Sequence, residues 1–246
     1  MQQHTFDTSS SQPYVITEYD HFLTPEECDQ LIELARPRLV ESKVYESAAD
    51  TLDRSIRVSM QCWIHDTERV PLVEQLNRKI ERIVNIPSSA YESLQIVRYQ
   101  EGGFYRPHYD ACNDTPEKCQ RMNDKFGSQR YITFLIYLND DFEGGGTHFP
   151  KLPFTTRPRK GTAIMFFNTD PKGMIVESAL HGGEPIQKGE KWICNRWIHY
   201  PTIQENYRPL VDSSTKRLRF LLFLGGLGFL MGLAWFVLKS KRIQKA

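Results

Sequence analysis

The sequence predicts a mainly β domain of the α+β class, an antiparallel sandwich or jelly roll, preceded by helices and followed by one transmembrane helix. Short strand-like segments, separated by glycine and proline, follow one another after residue 93 without helical patterns between them. Two amphipathic patterns come before them, and an uncharged apolar run comes after them. With 246 residues, 40% of them hydrophobic, the chain is long enough for one domain with a hydrophobic core.

Two helices are predicted in the N-terminal part. The run Thr24-Pro25-Glu26-Glu27 is typical of a helix start, with Thr24 as N-cap and Glu27 closing a capping box. This helix should end near Arg36, and its buried face is predicted to hold Cys28, Leu31, Ile32 and Ala35. The second helix should run from about Leu72 to Val84, with an apolar stripe made of Leu72, Leu76, Ile80 and Ile83.

The strands are predicted in the second part of the chain, at Leu94–Tyr99, Tyr131–Leu138, Ala163–Asn168 and Lys191–Tyr200. The domain organisation that follows is a disordered polar tail at 1–13, a folded domain at 14–201 and a polar linker at 202–217. Within the folded domain, the helical part covers 14–92 and the strand core covers 93–201.

The apolar run from Phe220 to Leu238 contains no charged residue. Its length of ~19 residues matches the ~30 Å hydrocarbon core of a bilayer at about 1.5 Å per residue. We expect a transmembrane helix at 218–238, then a short basic tail at 239–246, and a Gly228–Gly232 step that would let two such helices form a homodimer. Because no signal-like apolar run precedes it, we expect a single-pass C-terminal anchor in the endoplasmic reticulum or another endomembrane, with the domain on the cytosolic side.

The charge balance and the cysteines narrow the choice of partners. A formal net charge of +1 gives no clustered basic excess of the kind that binds phosphate backbones, so no nucleic-acid partner is expected. The five cysteines are scattered, without the close pairs of a structural zinc site. Reduced thiols are the favoured prediction, and a Cys112–Cys119 bridge is the alternative.

A histidine and an aspartate, His108 and Asp110, stand two residues apart at the end of an extended segment. Alternation along a strand points both side chains to one face, where they can take adjacent positions on a metal. The third ligand should come from a distant strand, and His181 is the best candidate. Two histidines and one carboxylate on one face of a metal leave open positions, the arrangement typical of non-haem Fe(II) oxygenases.

Lys191 lies ten residues after His181 and opens a predicted strand, on which Lys191 and Trp197 share one face. A buried ammonium there needs an anion. A dicarboxylate co-substrate that chelates the metal would supply that anion at its far end.

Four ordered blocks resemble the prolyl 4-hydroxylase family, in the form of its alpha-subunit catalytic domain. The blocks are YxxGxxYxxHxD at Tyr99–Asp110, RxxTxLIYLN at Arg130–Asn139, GGxTxFP at Gly144–Pro150 and HxxxPIxxGxKWxxxxWI at His181–Ile198. The resemblance covers roughly Ile16 to Tyr200 and implies a double-stranded β-helix, a jelly roll with the N-terminal helices packed outside it. The chain departs from the family at Gly146, where glutamate is common, and in the loop Ala111–Gln129, which is long, polar and carries two cysteines.

The resemblance also implies a reaction and a set of site residues. The reaction is hydroxylation of peptidyl proline at C4 with Fe(II), O2, 2-oxoglutarate and L-ascorbate, releasing succinate and CO2. The implied iron ligands are His108, Asp110 and His181, with Lys191 as a further catalytic residue. The implied 2-oxoglutarate contacts are Lys191, Tyr99 and Thr133. The implied contacts with the proline-containing peptide or protein are Tyr105, Arg130 and Trp197.

Two alternatives stay open at this point. One is hydroxylation of another side chain, such as lysine, and the other is a non-catalytic membrane-anchored scaffold that binds peptides. Surface or structural roles are expected for the remaining histidines His4, His21, His65 and His148. His199 is left outside the predicted site, although it shares the strand parity of Lys191.

Overall fold

Strands dominate the computed structural model, which describes residues 1–8, 13–46, 49–114, 119 and 125–200. The strands are β1 Gln2–Phe6, β2 Tyr14–Tyr19, β3 Val40–Glu41, β4 Val44–Glu46, β5 Ala49–Thr51, β6 Arg57–Val58, β7 Met60–Ile64, β8 Leu94–Tyr99, β9 Phe104–His108, β10 Arg130–Tyr137, β11 Glu143–Gly144, β12 Thr147–Phe149, β13 Phe154–Thr155, β14 Ala163–Phe167, β15 His181–Gly183, β16 Ile186–Lys188 and β17 Lys191–His199. The α-helices are α1 Pro25–Ala35 and α2 Pro71–Val84. Short 3-10 turns lie at Arg36–Arg38, Asp66–Glu68, Ser88–Ala90 and Glu177–Ala179.

The strands form a larger and a smaller antiparallel sheet. The larger sheet has eight strands in the order β1-β2-β14-β10-β17-β8-β7-β3, and the smaller has five in the order β13-β12-β15-β9-β6. Two-stranded ribbons, β11-β16 and β4-β5, complete the strand pairing of the described residues. Most neighbours in each sheet are far apart in the sequence, as in a jelly roll. The prediction of a mainly β, jelly-roll domain with N-terminal helices is therefore confirmed.

One hydrophobic layer lies between the two sheets. Phe149 of β12 meets Phe166 of β14 edge-on, with ring centroids 5.3 Å apart. The large sheet contributes further buried side chains to this layer, which are Ile16, Val97, Leu135, Tyr137 and Ile193. Strand alternation sends every second side chain of β10 and β17 into this layer, so the same strands can carry polar groups into a cleft between the sheets.

The helices cover the other face of the large sheet. At the start of α1, Glu27 N–H donates to Thr24 Oγ1 at 3.2 Å and Thr24 N–H donates to Glu27 Oε2 at 2.9 Å, which confirms the predicted capping box. Its buried residues are also those predicted, namely Cys28, Leu31, Ile32 and Ala35.

The predicted stripe of α2 is corrected in part. Its buried residues are Val73, Leu76, Asn77 and Ile80. Leu72 is half-buried and Ile83 is 36% exposed, although both belong to the predicted stripe. The reason is that the angle at which a helix meets the sheet decides which flank of an apolar stripe is covered, and the periodicity alone does not specify that angle.

The expected disordered tail at 1–13 is wrong over Gln2–Phe6, which forms β1. This strand pairs with β2 along its whole length, from Gln2 opposite Glu18 to Phe6 opposite Tyr14. The open edge of β2 offers backbone hydrogen bonds to any extended segment, so a polar sequence can add a strand there. The ring of Phe6 also packs 5.5 Å from that of Phe154.

The cysteines follow the alternative prediction at one pair. Cys112 and Cys119 form a disulfide, with their Cα atoms 5.3 Å apart. Cys28, Cys62 and Cys194 are buried free thiols, as expected.

The predicted linker, transmembrane helix and basic tail at 202–246 lie outside the described residues. Among the residues that the structure does describe, no helix has the length and apolar character that a membrane span needs.

Candidate active site

Three side chains that can hold a metal meet at the rim of the smaller sheet. His108 ends β9, Asp110 follows it directly, and His181 opens β15 opposite His108 in the strand register. Asp110 Oδ1 lies 3.6 Å from His108 Nε2, and Asp110 Oδ2 lies 3.6 Å from His181 Nε2. The ligand atoms of all three residues lie within 4.8 Å of one another. The structure therefore brings together the three predicted metal ligands.

Backbone carbonyls orient both imidazoles. His108 Nδ1 lies 2.8 Å from the carbonyl oxygen of Arg106, and His181 Nδ1 lies 2.8 Å from that of Ala179. A carbonyl oxygen only accepts hydrogen bonds, so each Nδ1 carries the proton and each Nε2 keeps a lone pair. These lone pairs point towards the Asp110 carboxylate, as the ligands of a metal require.

Electrostatics keeps His181 and Asp110 in their ligand forms. Burial lowers the pKa of His181 to about 4, so this imidazole is neutral at physiological pH. Burial by itself would raise the pKa of Asp110, but His181, His108 and Arg130 hold it well below its usual range. Thr133 Oγ1 donates a hydrogen bond of 2.6 Å to Asp110 Oδ2 and receives one of 2.8 Å from Asn168 Nδ2. A neutral imidazole and an ionised, hydrogen-bonded carboxylate are ready to bind a divalent cation.

Lys191 lies in the same cleft, which has a volume of about 500 Å³. The residue is 1% exposed, and its Nζ donates to the carbonyl oxygen of Gly145 at 2.7 Å. Tyr99 faces it across the β8–β17 ladder, with its ring centroid 4.7 Å from Nζ. Burial lowers the pKa of Lys191 to about 7, so the site disfavours an ammonium that has no anion beside it.

Aromatic and cationic side chains surround the metal ligands. The ring of Tyr105 stacks on His108, with centroids 3.6 Å apart. The guanidinium of Arg57 lies over the Tyr105 ring, 4.7 Å from its centroid, and Arg57 Nε donates to Ser59 Oγ at 2.8 Å. Arg57 is 7% exposed, so this cation lines the cleft from within the fold.

A second group of polar residues lies where β10 and β17 reach the cleft mouth. Arg130 stacks over Trp197 at 3.8 Å and donates to Glu92 Oε2 at 2.8 Å. His199 Nε2 lies 2.9 Å from Glu92 Oε1. Burial by itself would raise the pKa of Glu92, but Arg130 and His199 lower it to about 2. The carboxylate is therefore an ionised acceptor that fixes the side chains of Arg130 and His199.

Known proteins resemble this chain in sequence and in structure. The sequence model of the 2OG-Fe(II) oxygenase superfamily matches residues 94–199, the part of the chain that carries the three ligands and Lys191. Prolyl 4-hydroxylase 5 of Arabidopsis thaliana is 35% identical over 204 residues, which cover 74% of this chain and 67% of that protein. A protein of Acanthamoeba polyphaga mimivirus, named as a prolyl 4-hydroxylase, is 33% identical over 78% of this chain and 76% of its own length.

The chain belongs to the prolyl 4-hydroxylase family. The solved viral collagen prolyl hydroxylase of Paramecium Bursaria Chlorella virus-1, determined as its 2OG complex, is similar in structure with a TM-score of 0.59. That chain is 29% identical, and the match covers 74% of this chain and 94% of the viral one. This chain is therefore a 2-oxoglutarate-dependent oxygenase.

The residues present fit the cofactors of a prolyl 4-hydroxylase, Fe(II) and 2-oxoglutarate, with ascorbate typical of the family. Two imidazoles and one carboxylate are the donor set that suits non-haem iron. The keto acid has a second carboxylate, which would supply the anion that the buried Lys191 amine lacks.

The structure distributes the other predicted residues of this prolyl 4-hydroxylase over the cleft. Tyr99 lies beside Lys191, as the resemblance implies for a 2-oxoglutarate contact. Thr133 instead faces Trp197 in the strand register, six residues along β17 from Lys191, and its hydroxyl contacts Asp110. This contact places Thr133 behind the metal ligand Asp110 and away from Lys191.

Sequence reasoning missed Glu92 and Arg57 and set His199 aside. The parity of His199 with Lys191 was a usable signal, because both side chains lie on the cleft face of β17. Glu92 and Arg57 carried no such signal, since Arg57 reaches the cleft and Glu92 reaches Arg130 through contacts between distant segments.

Proposed function

We propose that this chain hydroxylates proline residues of a peptide or protein at C4. In the balanced reaction, peptidyl proline, 2-oxoglutarate and O2 give peptidyl 4-hydroxyproline, succinate and CO2. The observation that carries the proposal is the convergence of His108, Asp110, His181 and Lys191 on one cleft. Membership of the prolyl 4-hydroxylase family supports the choice of proline.

The bound ferrous ion would supply the activation of O2, with electrons from oxidation of the keto acid. The residues of the chain would position the metal and the co-substrate. His108, Asp110 and His181 would hold the metal. Lys191 would pair with the far carboxylate of 2-oxoglutarate and so fix the orientation of the keto acid in the cleft.

The substrate peptide would enter on the side of Tyr105, Arg130 and Trp197. The Trp197 indole is 6% exposed, and its Nε1 has no hydrogen-bond partner among the described residues. A peptide carbonyl is a suitable acceptor for it. Tyr105, stacked on His108, gives the apolar wall that a proline ring prefers and excludes water from the metal.

The test is succinate formation by iron-loaded protein in the presence of a proline-rich peptide. We expect peptide-dependent turnover and one added oxygen atom on proline, located by tandem mass spectrometry. The same peptide with its prolines replaced by alanine is the control and should give only the uncoupled background. Asp110→Ala and His181→Ala should abolish both.

The open alternatives give different results in the same experiment. Oxygen on lysine and none on proline would show an oxygenase of another side chain. Peptide binding that persists in Asp110→Ala, without turnover by the wild-type protein, would indicate a non-catalytic scaffold.

The proposal includes the membrane, on the strength of the uncharged run at 220–238. A helix at 218–238 would anchor the chain, with the catalytic domain on the cytosolic side, where the Cys112–Cys119 disulfide would be reversible.

Full-length protein should resist carbonate extraction from membranes, and the double variant Leu227→Arg/Leu230→Arg should be released because charges at the bilayer centre are costly. Protease protection tests on which side of the membrane the domain lies. Cross-linking of the wild-type chain, compared with the double variant Gly228→Leu/Gly232→Leu, tests a homodimer through the helix. Full protection of the domain, or extraction of the wild-type chain, would contradict the anchor as proposed.

A further inference from the structure

The loop between the predicted metal ligand Asp110 and β10 makes contacts at or beside the cleft at both of its described ends. At its start, Ala111 and Cys112 line the cavity and are 2% and 9% exposed. At its far end, Ser128 accepts a hydrogen bond of 2.7 Å from His199 Nδ1, and Phe126 stacks on the His199 ring at 4.1 Å. The first described residues of this loop, Ala111–Asp114, are therefore part of the cleft wall, and its last ones contact His199 beside the cleft mouth.

Gln129 joins the two ends. Its Oε1 accepts from the backbone N–H of Cys112 at 2.9 Å, and its Nε2 donates to the backbone carbonyl of Cys112 at 3.1 Å. The next residue, Arg130, donates from NH1 to the backbone carbonyl of Asp110 at 3.4 Å. The side chains of Gln129 and Arg130 thus hold the backbone from Asp110 to Cys112. Arg130 begins β10, the strand that pairs with β17 along the part that carries Trp197 and His199.

The disulfide adds a covalent bond to these hydrogen bonds. Cys112, which Gln129 holds, is bonded to Cys119 seven positions later. The remaining cysteines Cys28, Cys62 and Cys194 are buried in the layer under the helices, outside the cavity lining. A thiol reagent or reductant that acts on the folded protein therefore meets its disulfide at the cleft wall.

We infer that the Cys112–Cys119 disulfide, together with Gln129, positions the wall of the peptide end of the cleft, and that its reduction loosens peptide binding. This inference rests on the proposed function. A dithiol reductant transfers two electrons and two protons to the S–S bond, giving two cysteine thiols and the cyclic disulfide of the reductant. Without the cross-link, ordering of the Ala111–Asp114 wall has to occur on binding, which weakens affinity.

The location predicts which substrate is affected. Lys191 and Trp197 are six residues apart on β17, about 20 Å at the rise of a strand. The disulfide segment contacts the Trp197 and His199 end through Gln129, Arg130 and Ser128. Peptide affinity should change, and 2-oxoglutarate affinity should not.

The experiment uses the full chain as holoenzyme and compares the oxidised protein with dithiothreitol-treated protein and with Cys112→Ser/Cys119→Ser. We expect the peptide KM to rise about tenfold in both, with the 2-oxoglutarate KM unchanged. Dithiothreitol on the double variant is the matched control, and it should have no effect beyond any direct effect on iron. Gln129→Ala, which keeps the disulfide, should raise the peptide KM in the same direction.

Anaerobic binding of a labelled proline-rich peptide to the Fe(II) and 2-oxoglutarate complex measures the same effect without turnover. Alkylation of unfolded, unreduced protein should label three cysteines, and prior reduction should raise the count to all five. Five labelled cysteines without reduction, or equal peptide affinity in the oxidised protein and the double variant, would overturn the inference. Absence of peptide turnover and peptide binding in the oxidised wild-type protein would instead contradict the proposed function, and the inference with it.

Discussion

Lys191 carries a primary amine into a part of the cleft where only 1% of the residue is exposed. Burial is the main reason that its pKa falls to about 7, and the nearby charge of Glu184 opposes the fall only in part. A carboxylate from 2-oxoglutarate would restore the ammonium form. The cost of burying this charge in the free protein is therefore part of the selectivity for a dianionic co-substrate.

The first prediction concerns the pH dependence of 2-oxoglutarate binding. Below about pH 7 the amine is already protonated, whereas above this pKa a proton must be taken up when the carboxylate binds. The affinity for 2-oxoglutarate should therefore fall by up to about tenfold per pH unit between about pH 7 and about pH 9. Anaerobic calorimetric titration of the Fe(II) protein measures it.

Lys191→Ala should remove this pH dependence and weaken 2-oxoglutarate binding by more than about tenfold, or ~1.4 kcal/mol. Lys188→Ala is the matched control, because Lys188 is an exposed lysine that pairs with Glu143 outside the cleft. A flat wild-type profile, or an equal loss in both variants, would show that Lys191 does not hold the co-substrate.

The second prediction concerns Thr133, whose hydroxyl supports Asp110 at 2.6 Å. Thr133→Val keeps the shape but removes the donor and leaves Asn168 Nδ2 without its acceptor. Iron affinity should fall by about 10-fold to 100-fold, as for other groups that orient metal ligands. Fe(II) titration measures the loss, and Thr133→Ser, which keeps the hydroxyl, should restore most of it. Equal affinity in the valine variant would contradict this role.

At the scale of elements, the turn between β11 and β12 shapes the pocket around Lys191. Gly145 has φ +66°, and a Cβ there would lie 2.4 Å from Ile186 Cδ1 and 3.3 Å from Lys191 Cδ. Gly146 is also closely packed, since a Cβ would lie 2.7 Å from Thr155 Cγ2. The glutamate that is common in the family at this position would thus need a different path for β13.

The third prediction follows from this turn. Gly145→Ala combines a positive φ with a steric clash, so it should lower the free energy of unfolding by about 2–5 kcal/mol. It should also raise the 2-oxoglutarate KM because the Lys191 side chain is displaced.

Gly173→Ala is the control for backbone strain alone, since φ is +80° there and nothing lies within 4 Å of the added Cβ. It should cost about 1 kcal/mol and leave the 2-oxoglutarate KM unchanged. Urea unfolding and steady-state kinetics of both variants make the comparison. Equal effects of the two substitutions would contradict the packing argument.

At the scale of the whole molecule, the smaller sheet carries the metal ligands and the larger sheet carries Lys191 and Trp197. A metal and a keto acid would therefore connect the two sheets of the jelly roll. Ligands that bind only the folded state stabilise it by mass action.

The fourth prediction is that Mn(II) and 2-oxoglutarate together raise the melting temperature. At about a hundredfold excess over Kd the gain is about 2.7 kcal/mol. For a domain of this size that corresponds to a shift of about 5–10 °C. Differential scanning calorimetry measures it, and a chelator should reverse it. Asp110→Ala should show no shift, and an equal shift in that variant would place the binding elsewhere.

Much of the fold was predictable from local patterns. The four predicted strands agree with β8, β10, β14 and β17 to within one residue at each end, and α1 forms with its predicted cap and buried face. These elements carry strong signals, since each depends on residues that are neighbours in the sequence. The strands of two or three residues carry no such signal, and they form because the fold brings their segments side by side. For the same reason, β1 forms where a disordered tail was expected.

The sequence by itself determined the chemistry: the His108–Asp110 pair, the distant His181 and the lysine that follows it identify an iron and keto-acid site, because metal ligands must be of particular residue types. Only the tertiary structure decided what surrounds that chemistry. Arg57 reaches the cleft, Glu92 reaches Arg130 at its mouth and Thr133 supports Asp110, because strands far apart in sequence pair side by side. Residue type limits which atoms can bind a metal, whereas packing alone brings the supporting groups within hydrogen-bond distance.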